Sequence, residues 1–404
     1  MILSGSYAFC LNFVIAVNLI FQTAEAGLTP LQLVLVGTAL EASRFLSEVP
    51  TGVIADAVSR KLSVLVGILL VGFGLMLSGA FATFETILFA HVIWGLGNAF
   101  ISGAKEAWIA DEIGTVRAAR LYLRVAQVDQ FARLAAVPLS FALATVSLQY
   151  AILLGGGLLL PLALFLTFTM SERGFQGGKT LNRSALPSLT STLLEGGRLV
   201  RGSPLLMTIF CIAAIYGISG VGFDRLWVAH FYTNLGFPET AELEPIIWLG
   251  VLRMGAPLIG IVTVEVVRRS FDPTNHASVS RGLVTIYVLQ MAGLVLFGLA
   301  QNFVIGMIAF WTVISLYRAY TPLYMAWINQ NVDSSVRATV LSMSSQVSAV
   351  GQIVGGPTIG LLGSLVNLRA ALLASAGVMS LAIPLFFRGM GQGATKPVLE
   401  APPT

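Results

Sequence analysis

The feature that most constrains this chain is a recurrence of apolar runs, each about 20 residues or longer, separated by short polar breaks. Runs of that length without period-two alternation read as membrane-spanning helices, and they exclude both strands and a large outer-membrane barrel. Twelve are read, near 4–25, 32–55, 62–82, 86–109, 120–147, 149–170, 204–232, 245–267, 282–301, 303–327, 337–362 and 367–388. Composition agrees. Hydrophobic residues make up 56% and charged residues 10% of the 404, where soluble domains carry about 25% charged. Forty-one glycines supply small residues for close helix packing. The expected fold is an all-α polytopic membrane protein. A disordered chain, a disulfide scaffold and a nucleic-acid binder are excluded, since a net charge of +4 is too small to suggest a polyanion partner.

The basic residues set the sidedness. Arg60 and Lys61 follow span 2, and Arg117, Arg120 and Arg124 follow span 4. Arg173, Lys179, Arg183, Arg198 and Arg201 lie between spans 6 and 7, and Arg268, Arg269 and Arg281 between 8 and 9. Arg337 follows span 10, and Arg388 and Lys396 end the chain. That is sixteen on one side, against Arg369 alone on the other, where Glu239, Glu242 and Glu244 follow span 7. Under the positive-inside rule both termini are expected in the cytoplasm, in a cytoplasmic (plasma) membrane. The first charge is Glu25, so a basic leader region is missing and no cleavable signal is expected. Cys10 and Cys211 both lie in apolar runs and indicate no disulfide framework.

One long polar connection, 171–203, divides residues 1–170 from 204–390, and 391–404 reads as a disordered tail. Within the connection Leu189, Leu193, Leu194 and Leu199 suit a short interfacial helix. Arg173–Thr180 narrowly misses a phosphate loop, because Arg173 stands where glycine is needed, and reads as a glycine linker. Asn182-Arg183-Ser184 is a sequon on the side expected to be cytoplasmic. The halves repeat. Ala107-Trp108-Ile109 recurs as Ala326-Trp327-Ile328, Val116-Arg117-Ala118 as Val336-Arg337-Ala338, and Pro138 matches Pro357. Two six-helix halves related by a repeat point to a transporter.

At the end of span 2 the chain reads Glu48-Val-Pro50-Thr-Gly52-Val-Ile-Ala-Asp56-Ala-Val-Ser59-Arg60-Lys61. This resembles the signature between helices 2 and 3 of the major facilitator superfamily, with Gly52, Asp56, Arg60 and Lys61 on its defining positions. Ser59 replaces the usual glycine. Span count, central connection and repeat extend the resemblance over the whole chain. It implies twelve transmembrane helices in two pseudo-symmetric six-helix bundles, with a central substrate site. It also implies that the signature, with Asp111, Glu112, Arg117 and the matching Arg337, forms a cytoplasmic gate. Gly351, Gly355, Gly356, Pro357 and Gly360 in span 11 look like the glycine–proline motif that drug/proton antiporters of the family carry in helix 5. Its displacement favours a packing and bending role.

Eleven ionisable residues fall at apparent membrane depth: Glu41, Arg44, Glu48, Lys105, Glu106, Asp129, Arg133, Asp224, Arg225, Arg253 and Arg318. Each costs about 2.5–3.5 kcal/mol at a helix centre, so each must face protein or water. They occupy spans 2, 4, 5, 7, 8 and 10, and avoid spans 3, 6, 9 and 12, which the resemblance makes the outer supports. Glu106, Asp224, Glu41 and Asp129 are the candidates for proton coupling, since a buried acid can alternate between charged and neutral forms. Arg318, Lys105, Arg225, Trp108, Trp327 and Phe13 are the candidates for the substrate cavity. His91, His230 and His276 are scattered and suggest no metal site.

The reading is a secondary transporter moving a small amphiphilic solute by alternating access, with proton-coupled efflux preferred. An uptake carrier or facilitator for a polar or anionic metabolite is the alternative, and a channel or intramembrane enzyme the remote one. The expected partners are a small-molecule substrate and the lipid bilayer, with a monomeric chain and no cofactor beyond a coupling ion, H+.

Overall fold

The computed structural model describes residues 1–175, 203–238, 244–272, 275–332, 334 and 336–393. The interfacial helix expected at Leu189–Leu199, the sequon and the tail beyond Gly393 lie outside them, as do Lys179, Arg183, Arg198, Arg201, Glu239, Glu242 and Lys396. Among the described residues the chain forms twelve long helical rods. They are α1 (Ile2–Glu25), α2 (Pro30–Ala57), α3 (Arg60–Ala80), α4 (Phe84–Ile113), α5 (Thr115–Ala144) and α6 (Leu148–Thr169). Then follow α7 (Pro204–Leu235), α8 (Pro245–Ser270), α9 (His276–Leu299), α10 (Phe303–Asn331), α11 (Arg337–Leu365) and α12 (Leu368–Met390). Ten of them are long and apolar enough to cross a membrane. The other two, α2 and α5, are 28 and 30 residues long and carry more charge. The chain is a multi-pass membrane protein.

Polar side chains mark where the rods begin. Ser59 opens α3, Thr83 opens α4 and Ser147 opens α6, each accepting from an N–H of the first turn. Asn275, Asn302 and Asn367 do the same for α9, α10 and α12. An N-cap of this kind contributes about 1 kcal/mol. The caps recur at corresponding helices of the two halves, so the internal repeat is written into helix starts as well as into Ala-Trp-Ile.

Packing repeats too. The chain divides into two compact units. The first holds Met1–Leu28, the described residues of Leu35–Thr192, and Glu244–Gly250; the second holds Thr29–Val34 and the described residues of Leu193–Leu243 and Val251–Thr404. In the first, α1 packs along α5 and α6, and α3 along α4 and α6; in the second, α7 packs along α11 and α12, and α9 along α10 and α12. Glycine permits the closest of these approaches. A Cβ on Gly67 would stand 2.7 Å from the Gly97 carbonyl oxygen, bringing α3 and α4 backbone to backbone.

Three irregularities were not legible from hydropathy. α1 and α7 each finish in a turn of π-helix, Phe21–Glu25 and Phe231–Leu235, a geometry that is rare elsewhere and recurs at functional sites. α4 is broken at Ser102-Gly103: Gly103 takes φ +74°, a left-handed conformation open to glycine, and a new helical segment starts at Ala104.

Candidate functional site

The break in α4 sets its last ten residues, Ala104–Ile113, apart as a segment of their own. Arg60, at the α2–α3 junction, donates to the Ala107 carbonyl at 3.0 Å, to Asp111, and to Asp56 at 3.2 Å. The segment Ala104–Ile113 therefore sits at the same end of the unit as the α2–α3 connection. Lys105 and Glu106 belong to this segment. Their side chains stand 3.7 Å apart, with that of Glu106 54% exposed, and Tyr122 donates to the Glu106 carbonyl. Trp108 lies there as well, its indole donating to the Ser171 carbonyl at 2.7 Å.

The signature residues thus gather into one polar network within the first unit. Lys61 donates through Nζ to the carbonyls of Thr167 and Met170, both at 2.7 Å, completing the end of α6. Ser59, which stands where the signature it resembles has glycine, accepts from the Leu62 N–H and donates to Glu172 at 2.7 Å; Glu172 also accepts from the Lys61 backbone at 3.0 Å. Serine at this position therefore has a structural use. Asp111 faces Arg60, while Glu112 accepts from Ser171 and from the Gly174 N–H at 2.8 Å. The residue expected to join these two acids, Arg117, is exposed at the start of α5. Glu172 and Ser171 were not singled out from sequence, since they sit in the polar connection after α6, where acids and hydroxyls are ordinary. Gly52 stands in open space on α2, where a Cβ would meet nothing within 4 Å.

Other candidates of the first unit are dispersed. Glu41 pairs with Arg44 at 4.0 Å on α2. Asp129, on α5, is half-buried, with one carboxylate oxygen sequestered and without a hydrogen-bond partner. Phe13 is buried against Phe9 and beside Gly155, in a packing role. Separate from all of these, His91 Nε2 accepts from the side-chain amides of Asn18 at 3.3 Å and Gln22 at 3.1 Å, between α4 and α1.

In the second unit the charges keep aromatic company. Asp224 is exposed on α7, in a stretch where Phe223, Leu226 and Trp227 are buried. It lies within electrostatic range of Arg253 on α8 and of Tyr216 and Tyr317. The Arg253 guanidinium sits over the Trp227 ring, 5.3 Å from its centroid, a cation–π contact suited to a charge held among apolar groups. Arg318 is half-buried, its aliphatic stem beside Gly260 of α8, and Arg225 is half-buried on α7. Five of the nine tyrosines of the chain meet here: Tyr216 of α7, Tyr287 of α9, and Tyr317, Tyr320 and Tyr324 of α10. The rings of Tyr216 and Tyr320 stack at 4.6 Å, and Gln290 bonds the Tyr216 hydroxyl. This group was missed from sequence, although Tyr317, Tyr320 and Tyr324 at i, i+3 and i+7 mark one helix face.

The remaining candidates of the second unit are structural in their contacts. Trp327 is 1% exposed, set against Tyr324 and Phe386. Arg337 donates to the Val332 carbonyl at 3.5 Å, tying the start of α11 to the preceding turn. A Cβ on Gly351 would stand 2.5 Å from the Ala214 carbonyl, and one on Gly355 would meet Ile218, so these glycines seat α11 on α7. Gly356 is buried, Gly360 packs on Leu31 and Val34, and Pro357 lies inside α11 without interrupting it.

No family model matches the sequence. A curated relative, the uncharacterized MFS-type transporter YxaM of Bacillus subtilis (strain 168), is 22% identical over 365 residues, covering 88% of this chain and 86% of its own length. Among solved structures, the nucleoside transporter NupG superposes with a TM-score of 0.73 at 14% identity, covering 98% of each chain. A bacterial homologue of the human lysosomal transporter Spinster, inward-facing and unoccupied, gives 0.71 at 16% identity, covering 99% of this chain and 98% of its own. A D-xylose–proton symporter gives 0.69 at 12% identity, covering 98% and 97%. The proteins matched are transporters, not enzymes.

Proposed function

From a multi-pass chain that carries the major facilitator fold and has an MFS-type relative, we propose a secondary transporter that moves a small, partly apolar solute by alternating access, coupled to protons. The carrying observation is Asp224: an exposed carboxylate on a spanning helix, in range of Arg253 and beside tyrosine hydroxyls. Ionisable groups in spanning helices are costly and mark transport pathways. A carboxylate that exchanges a proton while its neighbouring cation stays charged changes the net charge of its surroundings by one unit, which is the requirement for coupling. We assign the proton step to Asp224 ahead of Glu106, because Glu106 sits in the Arg60 segment. Glu41 and Asp129 come after them. Efflux is the preferred direction, with both termini in the cytoplasm, a plasma-membrane location and a monomeric chain.

A second reading, uptake or facilitated passage of a polar metabolite, draws support from neighbours that carry nucleosides and D-xylose. Arg318 and Lys105 would then serve as polar or anion ligands.

Proteoliposomes loaded with a pH indicator separate these. Solute addition to wild-type vesicles is expected to move protons, with the sign giving the direction, and Asp224→Asn is expected to abolish that movement while Glu106→Gln retains at least half. Solute transport without proton movement in all three proteins would overturn coupling and leave a facilitator.

A further inference from the structure

In the second unit the rings of Tyr317, Tyr216, Tyr320 and Tyr324 form one near-parallel series. Successive centroids lie 6.0, 4.6 and 5.4 Å apart, and successive planes meet at 16°, 14° and 15°. The series is built by two helices: α10 sets three rings on one face, and α7 inserts Tyr216 between the first two. One end is closed. Tyr324 bonds the Ile209 carbonyl at 3.2 Å and Ser344 at 3.1 Å, and the next ring, Trp327, is buried against Phe386. The middle is closed as well, with Tyr320 3% exposed. The other end is open, because Tyr317 is 51% exposed.

An exposed ring on a spanning helix that serves packing alone faces lipid, whereas Tyr317 lies in electrostatic range of the exposed Asp224 carboxylate, a group that belongs to a polar pathway. Here the exposed ring instead continues a pre-aligned series. A polar neighbour accompanies it: the Asp224 carboxylate, exposed and in electrostatic range of both Tyr216 and Tyr317. Arg253 offsets the carboxylate charge, so the surroundings select no strongly charged ligand. Rigid rings held in register by tertiary contacts lose little conformational freedom when a further ring is added.

We propose that the open face of Tyr317 is a substrate-recognition site for solutes bearing a neutral planar aromatic or heteroaromatic ring with polar atoms on its edge. The ring stacks on Tyr317 and extends the series, with its polar edge turned toward the Asp224 carboxylate. The inference deepens the transport reading and rests on it for the word substrate.

The test is fluorescence titration of the purified full-length protein with 2-aminopurine and with lumiflavin, both quenched on stacking. Saturable quenching is expected for the wild type, with binding about tenfold weaker in Tyr317→Leu and near wild-type in Tyr317→Phe. Tyr150→Leu, an exposed tyrosine of the first unit, is expected to bind as the wild type does. Failure of both probes to bind the wild type saturably, or equal binding by Tyr317→Leu, overturns the proposal. Counterflow in vesicles keeps the two readings apart. Transport of a non-aromatic solute at equal rates by wild type and Tyr317→Leu leaves the transporter standing and removes the ring site. Tyr317-dependent quenching without counterflow of either probe keeps the ring site and removes the transporter.

Discussion

The helices α4 and α10 carry the same tripeptide, Ala107-Trp108-Ile109 and Ala326-Trp327-Ile328, yet fold differently around it. In α10 the helix runs unbroken from Phe303 to Asn331 and Trp327 is buried. In α4 the helix breaks at Gly103, and Trp108 is turned toward Ser171. At the repeat offset of 219, Gly103 corresponds to Pro322. Proline, usually the stronger helix breaker, is absorbed, because its fixed φ is helical and the loss is confined to one hydrogen bond. Glycine breaks the other helix, because only glycine takes φ +74° freely and because Arg60 is placed to bind the displaced segment at Ala107 and Asp111. Residues downstream diverge accordingly: Lys105 and Glu106 stand where α10 has Tyr324 and Met325. The repeat sets helix number and packing partners, and local substitutions then made one copy ionic and the other aromatic.

The contrast extends to the two basic connections. Arg60 bridges α2 and α4 with its side chain 21% exposed, whereas Arg268 and Arg269 reach back to Glu265 on the same helix, with side chains 69% and 76% exposed. The first pairing ties separate helices and the second only decorates one. Exposed pairs of the second sort are worth about 0–1 kcal/mol, and more is lost when one partner of a sheltered pair is removed.

The largest expected effect follows from breaking that bridge. Arg60→Ala strands Asp111 and the Ala107 carbonyl, and we expect a loss of about 2 kcal/mol together with a collapse of transport. Thermal midpoints in detergent check it, and a midpoint within a degree of wild type would show the network to be ornamental. Next comes the hinge. Gly103→Ala forces a side chain into left-handed backbone at a cost of about 1–2 kcal/mol, while Pro322→Ala in α10 is expected to be neutral or slightly stabilising; equal effects from the two would erase the difference between α4 and α10. The smallest effect is expected for Glu265→Ala, within about 0.5 kcal/mol of wild type and vanishing in high salt. A larger loss would mean that the α8–α9 connection is as interlocked as its counterpart.

Much of this was legible in the chain. Apolar runs of spanning length gave the helices, and polar caps at Ser59, Thr83, Ser147, Asn275, Asn302 and Asn367 now explain where six of them start. Gly52, Asp56, Arg60 and Lys61 stood out as a signature, but the pairing of Asp56 with Arg60 at 3.2 Å was read only from the structure. Glu172 was not legible, because an acid in a polar connection has no periodicity to mark it. The break at Gly103 was not either, since Gly95 and Gly97 sit in the same apolar run and remain helical. A glycine allows left-handed backbone without requiring it, and the requirement came from Arg60, forty-three positions earlier in the chain.

By itself, then, the sequence determined what depends on local pattern: a multi-pass helical membrane chain, its repeat, and the signature at the α2–α3 junction. Hydrophobic length and capping act within a few residues, so a linear reading captures them. Tertiary structure alone decided which helix breaks, where Lys105 and Glu106 come to lie, and that Tyr216 slots between Tyr317 and Tyr320. Those outcomes depend on which side chains meet across helices far apart in the chain, and stacking and ion pairing act only over a few ångströms.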